Sequence, residues 1–192
     1  MTLPPQTAFQ CNEGGDYGEE MELNQGKLCM GFVTPVTIRD EEFVAMQIMN
    51  LVFGGGVTGK LFMVIREQMS LCYAIGSAYH GTKGILTVSA GIDSNKEQVV
   101  RQAILDQLEL CCRGEITEEE LDSAKEALIS SLLTIHDSPG AMENYYASAV
   151  QSGLKLSVQE YMQAVRQLTV QQVADVAGKL RLHTTFFLKG VL

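Results

Sequence analysis

The sequence predicts an α+β fold in which helices pack on one face of a mixed, largely antiparallel sheet. Three observations carry this prediction: short apolar or alternating segments typical of strands, longer segments with helical periodicity between them, and two alternating segments joined by a glycine-bounded turn. The chain has 192 residues, of which 46% are hydrophobic. This length suits one domain with a substantial core. We expect a linker or lead-in segment over residues 1–22 and a single domain over residues 23–192.

The first part of the chain predicts one strand, followed by two helices that glycines separate. Residues 1–22 contain two prolines, paired glycines and scattered acids, and they show no periodicity. Lys27–Thr34 is apolar, short and followed by a proline, as expected of a buried strand. Arg39–Val52 has apolar residues at helical spacing and ends at the glycines of Gly54–Gly56. A second helix is predicted over Thr58–Gln68.

The next two segments predict an antiparallel hairpin. Leu71–His80 alternates, which places Leu71, Tyr73 and Ile75 on one face and Cys72 on the other. Ile85–Ile92 alternates as well, and glycines bound the turn between the two segments.

The second half of the chain predicts helices whose starts are marked by caps. Four segments fit the capping box, in which a hydroxyl and a Glu or Gln three residues later satisfy the first turn: Ser94-x-x-Glu97, Thr117-x-x-Glu120, Ser157-x-x-Glu160 and Thr169-x-x-Gln172. Ser138-Pro139 adds a helix start with proline at the first helical position. Leu182–Leu188 is rich in β-branched and aromatic residues and predicts the last strand.

Composition narrows the classes of function. The net charge is −9 and no basic cluster is present, which argues against nucleic-acid binding. Five cysteines are an odd number and include no Cys-x-x-Cys pair, so we expect reduced thiols in a cytoplasmic protein and no structural zinc. The N-terminus lacks the pattern of a secretory signal, and no apolar run reaches membrane-spanning length, so no membrane contact is expected.

Two motifs suggest chemistry that their surroundings argue against. Gly54-x-x-x-x-Gly59-Lys60 nearly matches a phosphate-binding loop, but Leu61 replaces the Ser or Thr that would hold magnesium, and a helix precedes the loop. The glycines are better explained as a turn between helices that needs positive φ angles. His136-Asp137-Ser138 contains the residue types of a hydrolase triad, but adjacent residues cannot easily point at one another. Helix caps explain these three residues.

The stretch from the glycine turn to the following strand resembles a known family. An apolar helix, a glycine-rich turn, a short helix ending in Arg66-Glu67, and then Leu71-x-Tyr73 entering a strand are similar to the C-terminal half of pitrilysin/insulinase-type (inverzincin) zinc metallopeptidases. The resemblance extends from about Lys27 to Leu188. The helix start Ser138-Pro139-Gly140 and the ending Phe186-Phe187-Leu188 also resemble a bacterial branch that includes non-catalytic members.

The resemblance implies that Arg66 and Tyr73 bind substrate, by donating hydrogen bonds to a peptide carbonyl. Packing alone offers another explanation, because an arginine at a helix C-terminus complements the helix dipole and a tyrosine on a strand is common. In this family zinc lies in the N-terminal half. This chain has three histidines far apart and no His-x-x-Glu-His motif. We therefore expect no catalytic residue, metal or cofactor here, and no activity from this chain alone.

Two functions follow from the resemblance. The chain is either the peptide-binding domain of an active zinc peptidase, or part of a non-catalytic family member that serves as a binding or scaffold subunit of a heteromeric peptidase. In both cases the expected partners are a peptide and the N-terminal half or a homologous subunit, arranged as a clamshell. A His-x-x-Glu-His motif in the N-terminal half would separate the two.

Overall fold

Residues 13–191 are described by a computed structural model, and their strands form one mixed sheet. The order of strands across the sheet is β1-β5-β2-β4-β3. Only the β1–β5 pair is parallel among the described strands. The strands are β1 (Gly15–Met21), β2 (Gly26–Val33), β3 (Cys72–His80), β4 (Ile85–Ile92) and β5 (Arg181–Gly190).

Helices cover one face of this sheet. In β4 the side chains alternate between buried and more exposed along the strand, so one face supports the core and the other stays uncovered. The α+β fold with helices on one face is therefore confirmed. The helices are α1 (Phe43–Phe53), a π-helix (Leu61–Gln68), α2 (Glu97–Cys112), α3 (Glu118–Leu133), α4 (Pro139–Ser152), α5 (Val158–Gln167) and α6 (Val170–Ala177), with short 3₁₀ turns at Ser94–Lys96 and Thr134–Asp137.

The four predicted strands share this sheet, and their bounds agree within two residues. Strand β1 was not predicted. It lies in the segment 1–22 that the sequence suggested as a linker, and the first twelve residues of that segment lie outside the described residues. β1 is an edge strand whose side chains are almost all exposed, so it carries no buried, alternating pattern that could have revealed it.

The alternation predicted for β3 is wrong at its start, where the strand has a β-bulge. The pairing with β4 shifts between Cys72 and Ala74, so that Tyr73 is the extra residue. Cys72 lies opposite Ile92 and Ile75 lies opposite Ala90. Cys72 and Ile75 are therefore on the same face of the sheet, not on opposite faces as strict alternation predicted.

Most of the helix starts were predicted correctly. Capping boxes are present at Thr117, Ser157 and Thr169, and Ser138 caps α4. The box predicted at Ser94 is wrong. The Ser94 hydroxyl donates instead to the Gly190 carbonyl at 2.8 Å, and a 3₁₀ turn precedes α2. This bond ties the start of α2 to the end of β5.

Crowding explains Gly54 in the turn between α1 and the π-helix. A Cβ on Gly54 would lie 2.6 Å from Leu61 Cδ1, which no side chain tolerates without a shift. The positive φ angles that were predicted for this turn are absent from it, since the described glycines with positive φ are Gly84, Gly114 and Gly153. Close approach of backbone and side chains is the physical reason for Gly54.

A buried ion pair fastens the start of the π-helix to α3. Lys60 Nζ lies 2.7 Å and 2.9 Å from the two carboxylate oxygens of Glu120, and only 9% of the lysine side chain is exposed. Glu120 also accepts the backbone N–H of Thr117 in its capping box at 2.9 Å. One carboxylate thus holds both the π-helix and the first turn of α3.

Replacing Lys60 with methionine should destabilise the fold, because Glu120 would remain partly buried without its cation. We expect the free energy of unfolding to fall by about 2 kcal/mol in urea denaturation. The matched control is Lys189→Met, which removes the exposed Lys189–Glu20 pair at 2.7 Å. That change should cost about 0.5 kcal/mol or less. Equal losses in the two variants would contradict the role assigned to the buried pair.

Candidate functional site

Arg66 and Tyr73 line the same cleft, which has a volume of about 430 Å³. The cleft lies where the π-helix ends, β3 begins and β4 leads into α2. It is open to solvent and mixed in polarity. Its other lining residues are Glu67, Ser70, Leu71, Cys72, Asp93 and Lys96.

Arg66 belongs to the last turn of the π-helix. π-Helices are rare and are often found at functional sites. The Arg66 guanidinium lies over the Phe62 ring, with its central carbon 4.6 Å from the ring centroid. Its Nε lies 3.6 Å from a carboxylate oxygen of Glu67, and 41% of the arginine side chain is exposed. The aromatic ring orients the guanidinium plane while leaving N–H groups accessible from the cleft.

A strained turn joins the π-helix to β3. Ser70 has a φ of 52°, in the left-handed region that favours glycine. On either side of it, the Met69 N–H donates to the Val64 carbonyl at 2.9 Å and the Leu71 N–H donates to the Ile65 carbonyl at 3.0 Å. These bonds end the helix and reverse the chain. The reversal brings Tyr73, seven positions after Arg66, back to the same cleft.

The β-bulge sets the direction of the Tyr73 side chain, and a hydrogen bond to Asp93 holds its hydroxyl. The residue is 53% exposed, and its hydroxyl donates a hydrogen bond to Asp93. Asp93 in turn pairs with Lys96 Nζ at 2.8 Å. The bond to Asp93 raises the pKa of Tyr73, because the carboxylate accepts a hydrogen bond from the neutral phenol and repels a phenolate. Lys96 and then Tyr73 lower the pKa of Asp93 by donating to its charged form.

Sequence reasoning did not identify Asp93 or Lys96. The predicted hairpin could have pointed to Asp93, because β4 ends at Ile92 and Ile92 pairs with Cys72, the neighbour of Tyr73. The residue after Ile92 must therefore lie near Tyr73. The bulge that turns the phenol toward Asp93 leaves no sequence pattern of its own.

A thiol also lines the cleft, but it is a poor nucleophile. Burial raises the pKa of Cys72, and this outweighs the opposing effect of Arg66 and Lys96. The thiol is therefore protonated at neutral pH. Cys29, Cys72, Cys111 and Cys112 are all free.

The histidines are not gathered into a metal site. His80 contacts Thr87 and His183 contacts Thr184, each through a threonine hydroxyl. Within residues 13–191, no group of three or more His, Cys, Asp or Glu side chains could hold a metal ion. Over the same residues, no helix combines the length and the apolar character needed to cross a membrane.

The bond between Tyr73 and Asp93 can be tested by titration. We expect the pKa of Tyr73 to lie above its ordinary value of about 10 and to return toward it in Asp93→Asn. An ultraviolet difference titration against Tyr73→Phe isolates this phenol from the other tyrosines. Because the pKa is raised on folding, its contribution to stability is present below the ordinary pKa. It is lost as the pH rises through the folded value.

The matched control is Asp106→Asn, on the exposed side of α2 and bonded to Gln102. This variant should leave the Tyr73 titration unchanged. A Tyr73 pKa that is equal in the protein and in Asp93→Asn would contradict the hydrogen bond.

Comparison with known proteins places this fold in one family. The family model described as "Peptidase M16 inactive domain" matches residues 3–128. The Bacillus subtilis protein named "Probable inactive metalloprotease YmfF" is 29% identical over 90% of this chain and 40% of its own length. The B. subtilis "Uncharacterized zinc protease YmxG" is 27% identical over 83% of this chain and 39% of its own length.

A solved structure agrees with these matches. The crystal structure of a conserved protein from Enterococcus faecalis V583 superposes with a TM-score of 0.88 and 30% identity, over 94% of this chain and 43% of that one. The chain thus spans about two fifths of the length of these relatives. In this family zinc binding belongs to the other, active half. The chain belongs to the M16 family, the pitrilysin/insulinase-type zinc metallopeptidases, and corresponds to its inactive, C-terminal-type domain.

Proposed function

We propose that this domain binds peptide and completes the active site of a zinc-bearing M16 half, with Arg66 and Tyr73 as its substrate-binding residues. The observation that carries the proposal is their convergence on one cleft from two different elements. A guanidinium and a phenol in one cleft offer two directed donors to the same acceptor. The partner is the N-terminal half or a homologous subunit, in a clamshell that encloses the peptide.

The two donors suit the oxygen of a peptide carbonyl. Arg66 presents several N–H groups from a guanidinium that packs on the Phe62 ring. Tyr73 adds one O–H. Donors placed where negative charge develops lower the barrier to acyl transfer. Zinc on the other half would polarise the same carbonyl and activate water. This chain's own contribution is to bind and orient the peptide.

Peptide binding must compete with Asp93 for the single Tyr73 proton. A carboxylate is a stronger acceptor than a neutral carbonyl, so the Tyr73 hydroxyl donates to Asp93 when no peptide is bound. When the phenol turns to the peptide, Lys96 at 2.8 Å still compensates the carboxylate. Asp93 and Lys96 thus keep the tyrosine close to the cleft without leaving an unpaired charge.

The edge of β3 offers little room for an added strand at its centre. The Ser77 N–H donates to the Gly54 carbonyl at 2.8 Å, so the glycine turn already occupies that part of the edge. An extended peptide would therefore be held mainly by the side chains of the cleft. Strand addition belongs to the zinc-bearing half in this proposal.

A second function is favoured by one comparison. YmfF, which matches 90% of this chain, carries the description of a probable inactive metalloprotease. In that case the domain belongs to a non-catalytic subunit that binds peptide or supports an active partner. The absence of His-x-x-Glu-His from the N-terminal half of the complete protein would select this function over the first.

The cytoplasm of a bacterium is the location we propose. The free thiols of the described cysteines suit a reducing compartment. The B. subtilis relatives support a bacterial origin.

Substitutions at Arg66 and Tyr73 should slow peptide hydrolysis by the complete protein that carries this domain and its zinc-bearing half. We expect Tyr73→Phe and Arg66→Ala each to lower kcat by about 10²-fold, the effect of losing one donor to an oxyanion. KM should change less. Steady-state kinetics on an unstructured peptide would measure both.

Matched controls come from exposed residues outside the cleft. Tyr17→Phe changes a tyrosine on β1 that is 57% exposed, and Arg113→Ala breaks surface pairs with Glu109 and Glu115. Both variants should retain full turnover. Undiminished turnover in Tyr73→Phe and Arg66→Ala would show that the cleft takes no part in hydrolysis.

A further inference from the structure

A second pocket, with a volume of about 260 Å³, lies at the other end of the sheet from the cleft. It is formed where β2 ends and where β4 and β5 begin. Strand β3 has nine residues, so its two ends are about 26 Å apart. The pocket is lined by Val33, Thr34, Pro35, Lys83, Gly84, Ile85, Lys179 and Arg181.

The pocket has a fixed backbone. The Thr34 N–H donates to the Gly84 carbonyl at 2.9 Å, which holds the hairpin turn against the end of β2. Gly84 has a φ of +63°, and a Cβ there would lie 2.4 Å from the Thr34 carbonyl oxygen. Only glycine allows this close approach. Val33 pairs with Ile85 on one side and with Arg181 on the other, which places the turn and the start of β5 side by side.

The charge of this pocket is opposite to that of the chain. Three of the chain's 14 Lys and Arg residues line it, no acid does, and the chain as a whole has a net charge of −9. Among the described residues, no carboxylate pairs with Lys83 or Arg181. Arg181 uses Nη1 on the carbonyls of Gly178 and Leu180, at 2.6 Å and 2.9 Å. Its Nε and Nη2 groups make no hydrogen bond to any of the described residues.

Lys179 can contribute to the same charge. It pairs with Glu42 at 2.6 Å, but 38% of the lysine and 45% of the glutamate side chain are exposed. Such exposed pairs contribute little to stability, so the bond to Glu42 is weak enough for an anion to compete with it. The end of α6 accounts for the positions of Lys179 and Arg181, because cations favour a helix C-terminus. It does not account for Lys83, which reaches the pocket from the β3–β4 turn.

We infer that this cationic pocket binds the oxyanion of a ligand, a carboxylate or a phosphate, between Lys83 and Arg181. Its volume suits one such group with the few atoms that carry it. The carboxylate would come from the C-terminus or an acidic side chain of a peptide, and the phosphate from a phosphorylated ligand. The inference does not depend on the peptide-binding role of the cleft.

Titration of the whole chain with small anions tests this inference. The probes are inorganic phosphate and N-acetyl-alanyl-alanine, with the C-terminal amide of the same dipeptide as the uncharged control. The amide resonances of Lys83 and Gly84 are followed by NMR at constant ionic strength. We expect saturable shifts with millimolar dissociation constants for the anions and none for the amide. The tighter of the two anions identifies the source of the oxyanion.

Variants separate a specific pocket from general attraction. Lys83→Gln and Arg181→Gln should each weaken anion binding about two- to fivefold. Lys27→Gln, at the opposite end of β2, should leave it unchanged. If Arg181→Gln loses its fold along with its carbonyl bonds, Lys83→Gln still tests the site. Shifts that never saturate, that the amide reproduces, or that survive Lys83→Gln would overturn the inference.

Discussion

The contact between the glycine turn and β3 is the constraint on which the candidate site depends. The Gly54 carbonyl accepts the Ser77 N–H at 2.8 Å, and the Ser77 hydroxyl donates to the buried side chain of Asn50 at 2.8 Å. Gly54 has no room for a Cβ against Leu61. Helix α1, the π-helix and β3 are therefore held together by contacts that lie outside the cleft. Lys60 and Glu120 fasten the same turn to α3 from the other side.

From this base the cleft is assembled by three local departures from regular structure. The π-helix carries Arg66, the left-handed Ser70 reverses the chain, and the bulge at Tyr73 turns the phenol toward Asp93. Each departure carries a local cost, and such costs are common where a site must be positioned. In the resulting hydrogen-bond network, Asp93 accepts from the Tyr73 hydroxyl and pairs with Lys96. A peptide carbonyl has to compete with Asp93 for the Tyr73 hydroxyl.

Patterns of burial and helix capping explain which parts of this structure the sequence predicted and which it did not. Buried strands and capped helices have regular patterns, so β2, β4 and the boxes at Thr117, Ser157 and Thr169 were predicted with bounds close to those observed. The edge strand β1 was missed because almost nothing on it is buried. At the site, the resemblance pointed to Arg66 and Tyr73. The resemblance did not include Asp93, whose position near Tyr73 follows from the hairpin pairing and whose bond to the phenol depends on the bulge. Ser94 was misjudged because a tertiary bond to Gly190 took its hydroxyl.

The central claim is that this domain supplies donors to a peptide while zinc belongs to the other half. Zinc content measured together with peptide hydrolysis, on this chain alone and on the complete protein, tests it most directly. The account predicts that this chain alone binds no stoichiometric zinc and cleaves no peptide, whereas a complete protein with His-x-x-Glu-His binds zinc and is active. Zinc held stoichiometrically by this chain, or hydrolysis by it alone, would contradict the account.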